Sequence, residues 1–172
     1  MRTACGLWIA TILTLGLCSA GVATVEGQRQ QGCGQGQATG NPHCNSRQCT
    51  LSASPINFGV YNMFDTQALD SVGELSVQCS SAGSVKVSLG AGSFGTLLSR
   101  LMKTTAGPDS LSYQVYLDQS RQAIFGDGSS GTSVATMPSS QTAVIRMYAR
   151  LAPLQFVRAG DYADGLLATF SF

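Results

Sequence analysis

From Cys49 onward the chain repeats one pattern: short stretches in which apolar and polar residues alternate strictly, separated by Gly, Asp, Ser and Pro. Leu75, Val77 and Cys79 alternate with Ser76 and Gln78, and Val85, Val87 and Leu89 with Lys86 and Ser88. Leu111, Tyr113, Val115 and Leu117 follow, then Ile145, Met147, Ala149 and Leu151, then Leu166, Ala168, Phe170 and Phe172 against Leu167, Thr169 and Ser171. A period of two puts one face of each stretch in a core and the other in water, which is the signature of half-buried strands. Six to seven such strands predict an all-β fold, a sandwich of two antiparallel sheets. The first two stretches, joined by Ser80-Ser81-Ala82-Gly83, are expected to pair as a hairpin. Leu97 to Lys103 is compatible with one helical turn or a short edge strand.

The N-terminus sets the compartment. Arg2, an apolar run from Leu7 to Leu17, and the small residues of Cys18-Ser19-Ala20 or Ala20-Gly21-Val22-Ala23 make up a secretory signal peptide. Its apolar run is shorter than the roughly 18 to 20 residues that cross a bilayer, and Leu17 before Cys18 does not fit a lipoprotein signal. We divide the chain into a leader at 1–20, a Gly/Gln-rich tail at 21–48 and a β domain at 49–172. Between Glu26 and Gln48 there is almost no large apolar residue, so this stretch buries too little to offset its ordering entropy. Of the ten basic residues only Arg2 leaves with the leader, giving nine against nine acidic ones. Such a neutral surface without like-charge runs argues against nucleic acid or anionic membrane as partner.

Cys5 and Cys18 also leave, so Cys33, Cys44, Cys49 and Cys79 enter an oxidising compartment as an even set. Three connectivities are open. We expect Cys49–Cys79, linking the start of one strand to the end of the next at roughly 3 to 4 kcal/mol on the loop-entropy account, with Cys33–Cys44 closing a small upstream loop. Cys33, His43, Cys44 and Cys49 could formally bind zinc, but their spacing fits no compact knuckle and oxidation competes.

No other constellation points to catalysis, metal or cofactor. Gly90-Ala91-Gly92-Ser93-Phe94-Gly95 matches G-x-G-x-x-G, yet its antiparallel surroundings lack the strand-helix-strand unit a dinucleotide needs. His43 is the lone histidine and lies in the tail, which removes most nucleophilic mechanisms. Asp118, Asp127, Asp161 and Asp164 sit in turn-like contexts, where aspartate caps its own backbone. The expectation is a protein that is not an enzyme.

In order, Cys49-Thr50-Leu51, Phe58-Gly59-Val60-Tyr61, Leu75 to Cys79, Arg100-Leu101-Met102, Leu111 to Asp118, Gly126-Asp127-Gly128, Tyr148-Ala149-Arg150 and Gly160 to Asp164 resemble the spore coat U domain family. Phe125 stands where that family often has Trp. The resemblance implies an all-β, immunoglobulin-like antiparallel β-sandwich lacking its last strand, as in subunits of archaic chaperone-usher pili. It also implies a periplasmic chaperone, an outer-membrane usher and neighbouring subunits as partners, on the way to the cell surface. Polymerising subunits carry an alternating apolar donor ahead of the first strand. Here only Val22 and Val25 qualify, and they fall on opposite faces. On this reading Leu166, Ala168, Phe170 and Phe172 face a groove that a partner strand fills, with Thr169 and Ser171 outward. The alternatives are that an earlier segment of the chain covers this edge, and that the protein is a self-contained secreted binding or adhesion module.

Overall fold

The computed structural model describes residues 19–22, 49–80, 83–104, 106–139 and 142–171. Every regular element among them is a strand: β1 (Ser19–Val22), β2 (Cys49–Ala53), β3 (Ile56–Asn57), β4 (Leu69–Cys79), β5 (Gly83–Leu89), β6 (Gly95–Thr96), β7 (Ser99–Thr104), β8 (Ser110–Tyr116), β9 (Ala135–Ser139), β10 (Thr142–Leu151), β11 (Tyr162–Leu166) and β12 (Ala168–Ser171). No helix among them is long and apolar enough to cross a membrane.

Two sheets face each other across one core. The larger runs β2-β4-β10-β8-β7-β11-β1-β3, with β6 paired to β7, and the smaller runs β12-β5-β9. The alternating residues fill the space between them: Leu75, Val77, Leu111, Val115, Met147, Ala149 and Leu151 from one layer and Val85, Val87, Leu89 and Ala168 from the other are all buried. This is the immunoglobulin-like antiparallel β-sandwich that the family resemblance implied, built from the half-buried strands that the period of two predicted. All strand pairs are antiparallel except β1 with β11.

The larger sheet curls until its two ends meet. β2 and β3 are separated by only Ser54-Pro55, yet β2 pairs with β4 and β3 with β1, at opposite ends of the strand order. Gly73 permits the closure. A Cβ there would lie 2.7 Å from Ile56 Cγ1, so only glycine lets β3 settle onto β4.

Two pairings differ from the sequence expectation. Leu75–Cys79 and Val85–Leu89 are not a hairpin: β4 pairs with β10 and β2, while β5 pairs with β12 and β9 in the other layer. Alternation identifies the buried face of a strand and says nothing of its edges. The chain therefore changes layer between Cys79 and Gly83. Likewise Leu166 to Phe172 is not one strand. Leu166 ends β11 in the larger sheet and Ala168 starts β12 in the smaller one. The burial pattern runs unbroken through the crossing, with Leu166 buried, Leu167 exposed and Ala168 buried, so the sequence hides it. The crossing is fixed by Gly90, whose N–H donates to the Leu167 carbonyl at 2.8 Å. Ser99–Thr104 is an interior strand between β8 and β11.

Candidate functional site: a strand slot above a buried polar cluster

Between β11 and β3 lies a position one strand wide, occupied by β1. Ser19, Ala20, Gly21 and Val22 pair in parallel with Ala163, Asp164, Gly165 and Leu166, and Ser19 and Ala20 pair antiparallel with Asn57 and Ile56. Tyr162, Asp164 and Leu166 of β11 and Ile56 of β3 turn inward and are buried, while Ala163, Gly165 and Asn57 face outward. The sheet is continuous at this point only through four residues, the first two of which fall within the expected leader.

Beneath the slot is a polar cluster. Asp164 is 5% exposed. Its carboxylate accepts from the Ser93 and Gly165 amides, each at 2.8 Å, and from the Tyr113 hydroxyl at 2.7 Å. Burial raises its pKa above the usual carboxylate range, and the three donors pull it partly back. Burial, then the adjacent carboxylate, raises the Tyr113 phenol. Asp164 was expected in a turn and instead lies within β11, because the alternation of Tyr162, Asp164 and Leu166 sets its face.

Arg100 is fully buried beside it. Nη2 donates to the Gly90 carbonyl at 2.8 Å and the Phe125 carbonyl at 2.7 Å, Nε to Gly90 at 3.1 Å, and Nη1 to Leu97 at 3.3 Å and to the Gln114 amide oxygen. Burial lowers its pKa. The guanidinium thus ties the end of β5, the β6–β7 turn and the Phe125-Gly126-Asp127-Gly128 turn to one point. Sequence reading missed this cluster as a unit. The available signal was parity: Arg100 and Asp164 stand at inward positions of alternating strands, where a charge must be satisfied internally.

The glycine-rich loop wraps this cluster, with the Ser93 amide bonded to Asp164. Gly92 has φ +90°, and a Cβ on it would lie 2.0 Å from Asp164 Oδ2. Asp118 closes its own turn, accepting from the Gln122 and Ala123 amides and the Ser120 hydroxyl, bonds that hold its pKa down to about 2. Asp127 caps Ser129 in the same manner. On the outer face of the larger sheet Asp70 takes a two-pronged bond from Arg150 and an ion pair from Arg121. Among the described residues no three His, Cys, Asp or Glu side chains converge as metal ligands.

The structure joins Cys49 to Cys79, which face each other at one end of the β2–β4 ladder. Cys33, His43 and Cys44 lie outside the described residues, as does Phe172. Of the other expected groove residues, Leu166 borders the slot on β11, whereas Ala168 and Phe170 pair with Leu89 and Val87 of the smaller sheet. Ala168 is buried and Phe170 partly so. The four do not share one strand.

Comparison with known proteins agrees with this architecture. Residues 37–169 match the model of the Spore Coat Protein U domain. Protein U of Myxococcus xanthus is 30% identical over 128 residues, covering 68% of this chain and 71% of that protein. Among solved structures, a chain of the CsuC-CsuE chaperone-tip adhesion subunit pre-assembly complex from archaic chaperone-usher Csu pili of Acinetobacter baumannii superposes with a TM-score of 0.54 at 20% identity. That match covers 73% of this chain and 40% of the other, so it speaks for the fold. By the family model and the identity with Protein U together, the chain belongs to the Spore Coat Protein U domain family.

Proposed function

We propose that this protein is an exported structural subunit of a surface pilus or coat whose sandwich is completed by a strand from a partner. A periplasmic chaperone supplies that strand first, and a neighbouring subunit supplies it after passage through an outer-membrane usher. The observation that carries the reading is the slot. Its present occupant, Ser19–Val22, straddles the expected leader cleavage after Ala20, so processing removes half of the strand or, with cleavage after Ala23, all of it. That leaves the edges of β11 and β3 unpaired over a buried row of Tyr162, Asp164, Leu166 and Ile56, a template for strand addition and an aggregation hazard when empty. The family membership and the fold shared with a chain of a chaperone–subunit complex support the same reading.

The test is export with and without a cognate chaperone. The processed protein should accumulate in the periplasm only with the chaperone and should copurify with it, and Leu166→Asp should abolish that capture by placing a charge in the apolar row. A processed chain that accumulates without a chaperone as a soluble, protease-resistant monomer would instead identify a self-contained binding or adhesion module.

A further inference from the structure

Resting on strand completion, a second question is which strands the slot accepts. Its inward positions differ sharply in the room they offer. In the register of Ala20 an occupant faces Asp164 on one side and Ile56 on the other. Neither can retreat. Ile56 already lies against Gly73 with no space for a methyl group between them. The Asp164 carboxylate is held by three donors and closed off by Gly92. The Tyr113 ring, 3% exposed and edge-on to Phe58 at 6.1 Å, occupies the core alongside.

Two residues further toward the start of β11, a continued ladder would run between Tyr162 and Phe58. Tyr162 there borders a cavity of about 370 Å³ whose lining also includes Gly59, Tyr61, Leu111, Val157, Arg158 and Asp161. Two residues the other way lies Leu166, fully buried and in register with Val22.

We infer that the slot selects its partner by size along the strand: a bulky apolar residue at the Tyr162–Phe58 end, glycine, alanine or serine opposite Asp164 and Ile56, and a branched aliphatic beside Leu166. The partner is an extended segment of another exported protein reading bulky-x-small-x-aliphatic. Asp164 and Ile56 are the specificity-determining residues. Extra methylenes forced into a closed position displace the strand, since neighbours with no free volume cannot repack.

The full-length chain tests this with β1 as the occupant and hydrogen exchange at Ile56, Asn57 and Ala163 to Leu166 as the readout. Ala20→Leu should lower protection of these amides by about tenfold or more, whereas Ser19→Leu, at the outward register of Ala163 and Asn57, should change it by less than about threefold. Ile56→Ala combined with Ala20→Leu should recover most of the loss, which a general loss of folding would not allow. Equal effects of Ala20→Leu and Ser19→Leu on a slot protected in the unsubstituted chain would overturn the size rule and leave strand completion standing. Absence of protection in the unsubstituted chain would overturn the size rule, which is read from β1, whereas strand completion by a partner fails only if the processed protein accumulates without a chaperone.

Discussion

Replacing Arg100 by leucine should be among the most damaging single changes in the protein. Burying a guanidinium is costly, and exchanging buried ion pairs for apolar residues is often neutral because both partners leave together. Here the acceptors are mostly backbone carbonyls, which no substitution removes. Arg100→Leu recovers the desolvation cost of the charge but strands the buried Phe125 carbonyl and the half-buried Gly90 carbonyl, while the Gln114 amide oxygen keeps the Val115 N–H as its donor. At about 1 to 3 kcal/mol for each of the two orphaned acceptors, less the recovered desolvation, the expected loss is about 2 to 4 kcal/mol. That is a large fraction of the roughly 5 to 15 kcal/mol that holds a domain together. Arg100→Lys should lose nearly as much, because an ammonium cannot reach three separate carbonyl groups in one plane. Urea unfolding of the oxidised protein, with the transition followed by both tyrosine fluorescence and circular dichroism, measures this directly. A Gln114→Leu partner mutation should be strongly coupled to Arg100→Leu in a double-mutant cycle. A loss below about 1 kcal/mol for Arg100→Leu would mean that water reaches those carbonyls, and the account of Arg100 as the pin of three turns would be wrong.

Three further outcomes are expected. Asp164→Asn keeps an acceptor for the two amides and should cost no more than about 1 kcal/mol, whereas Asp164→Ala orphans three donors and should cost about 2 to 4 kcal/mol in denaturant melts. Because burial raises the Asp164 pKa, the folded state binds more protons than the unfolded one between the ordinary aspartate value and that raised value. Its contribution to stability therefore falls as pH rises through that window, and Asp164→Asn should remove this slope. Asp118 has the opposite sign: its contribution is present above the ordinary pKa of 3.8 and lost as pH falls through about 2. Carboxyl carbon shifts should show a midpoint near 2, and a midpoint near 3.8 would mean that the 118–123 turn is open in solution. Gly73→Ala should push Ile56 toward the slot, lowering stability by about 1 to 3 kcal/mol and weakening protection of the β3 amides more than those of β10. Equal weakening in both strands would contradict the local account.

Much of this was legible from the residues because a half-buried strand writes its own face into the sequence. The alternation through β4, β5, β8 and β10 identified the buried face of those strands, and the placement of Cys49 and Cys79 at strand ends pointed to their bridge, whereas Ile56, Phe58, Met102 and Phe125 carry no such pattern. Edges and sheet membership left no such mark. Val85 to Leu89 reads the same whether it pairs with β4 or faces it across the core, and nothing in Leu166-Leu167-Ala168 distinguishes a continuous strand from one that changes sheet. The polar cluster escaped for another reason. Arg100, the neighbours Tyr113 and Gln114, and Asp164 come from three separate stretches of sequence, and each alone looks like an ordinary residue of a strand or turn. Only the fold brings their donors and acceptors together.

The bridge between Cys49 and Cys79 has a mechanical consequence. Tension arriving along the chain ahead of Cys49 passes through sulfur into the end of β4 and bypasses the five-residue β2, whose hydrogen bonds never bear it. β4 is joined to β10 by ten successive register pairs, from Gln78↔Thr142 to Leu69↔Leu151. A pull along the strands loads all ten rungs in shear at once, while a pull across them would open one rung after another. The crosslink thus hands any external load to the longest ladder in the molecule, and the weakest direction is set by the angle of the pull.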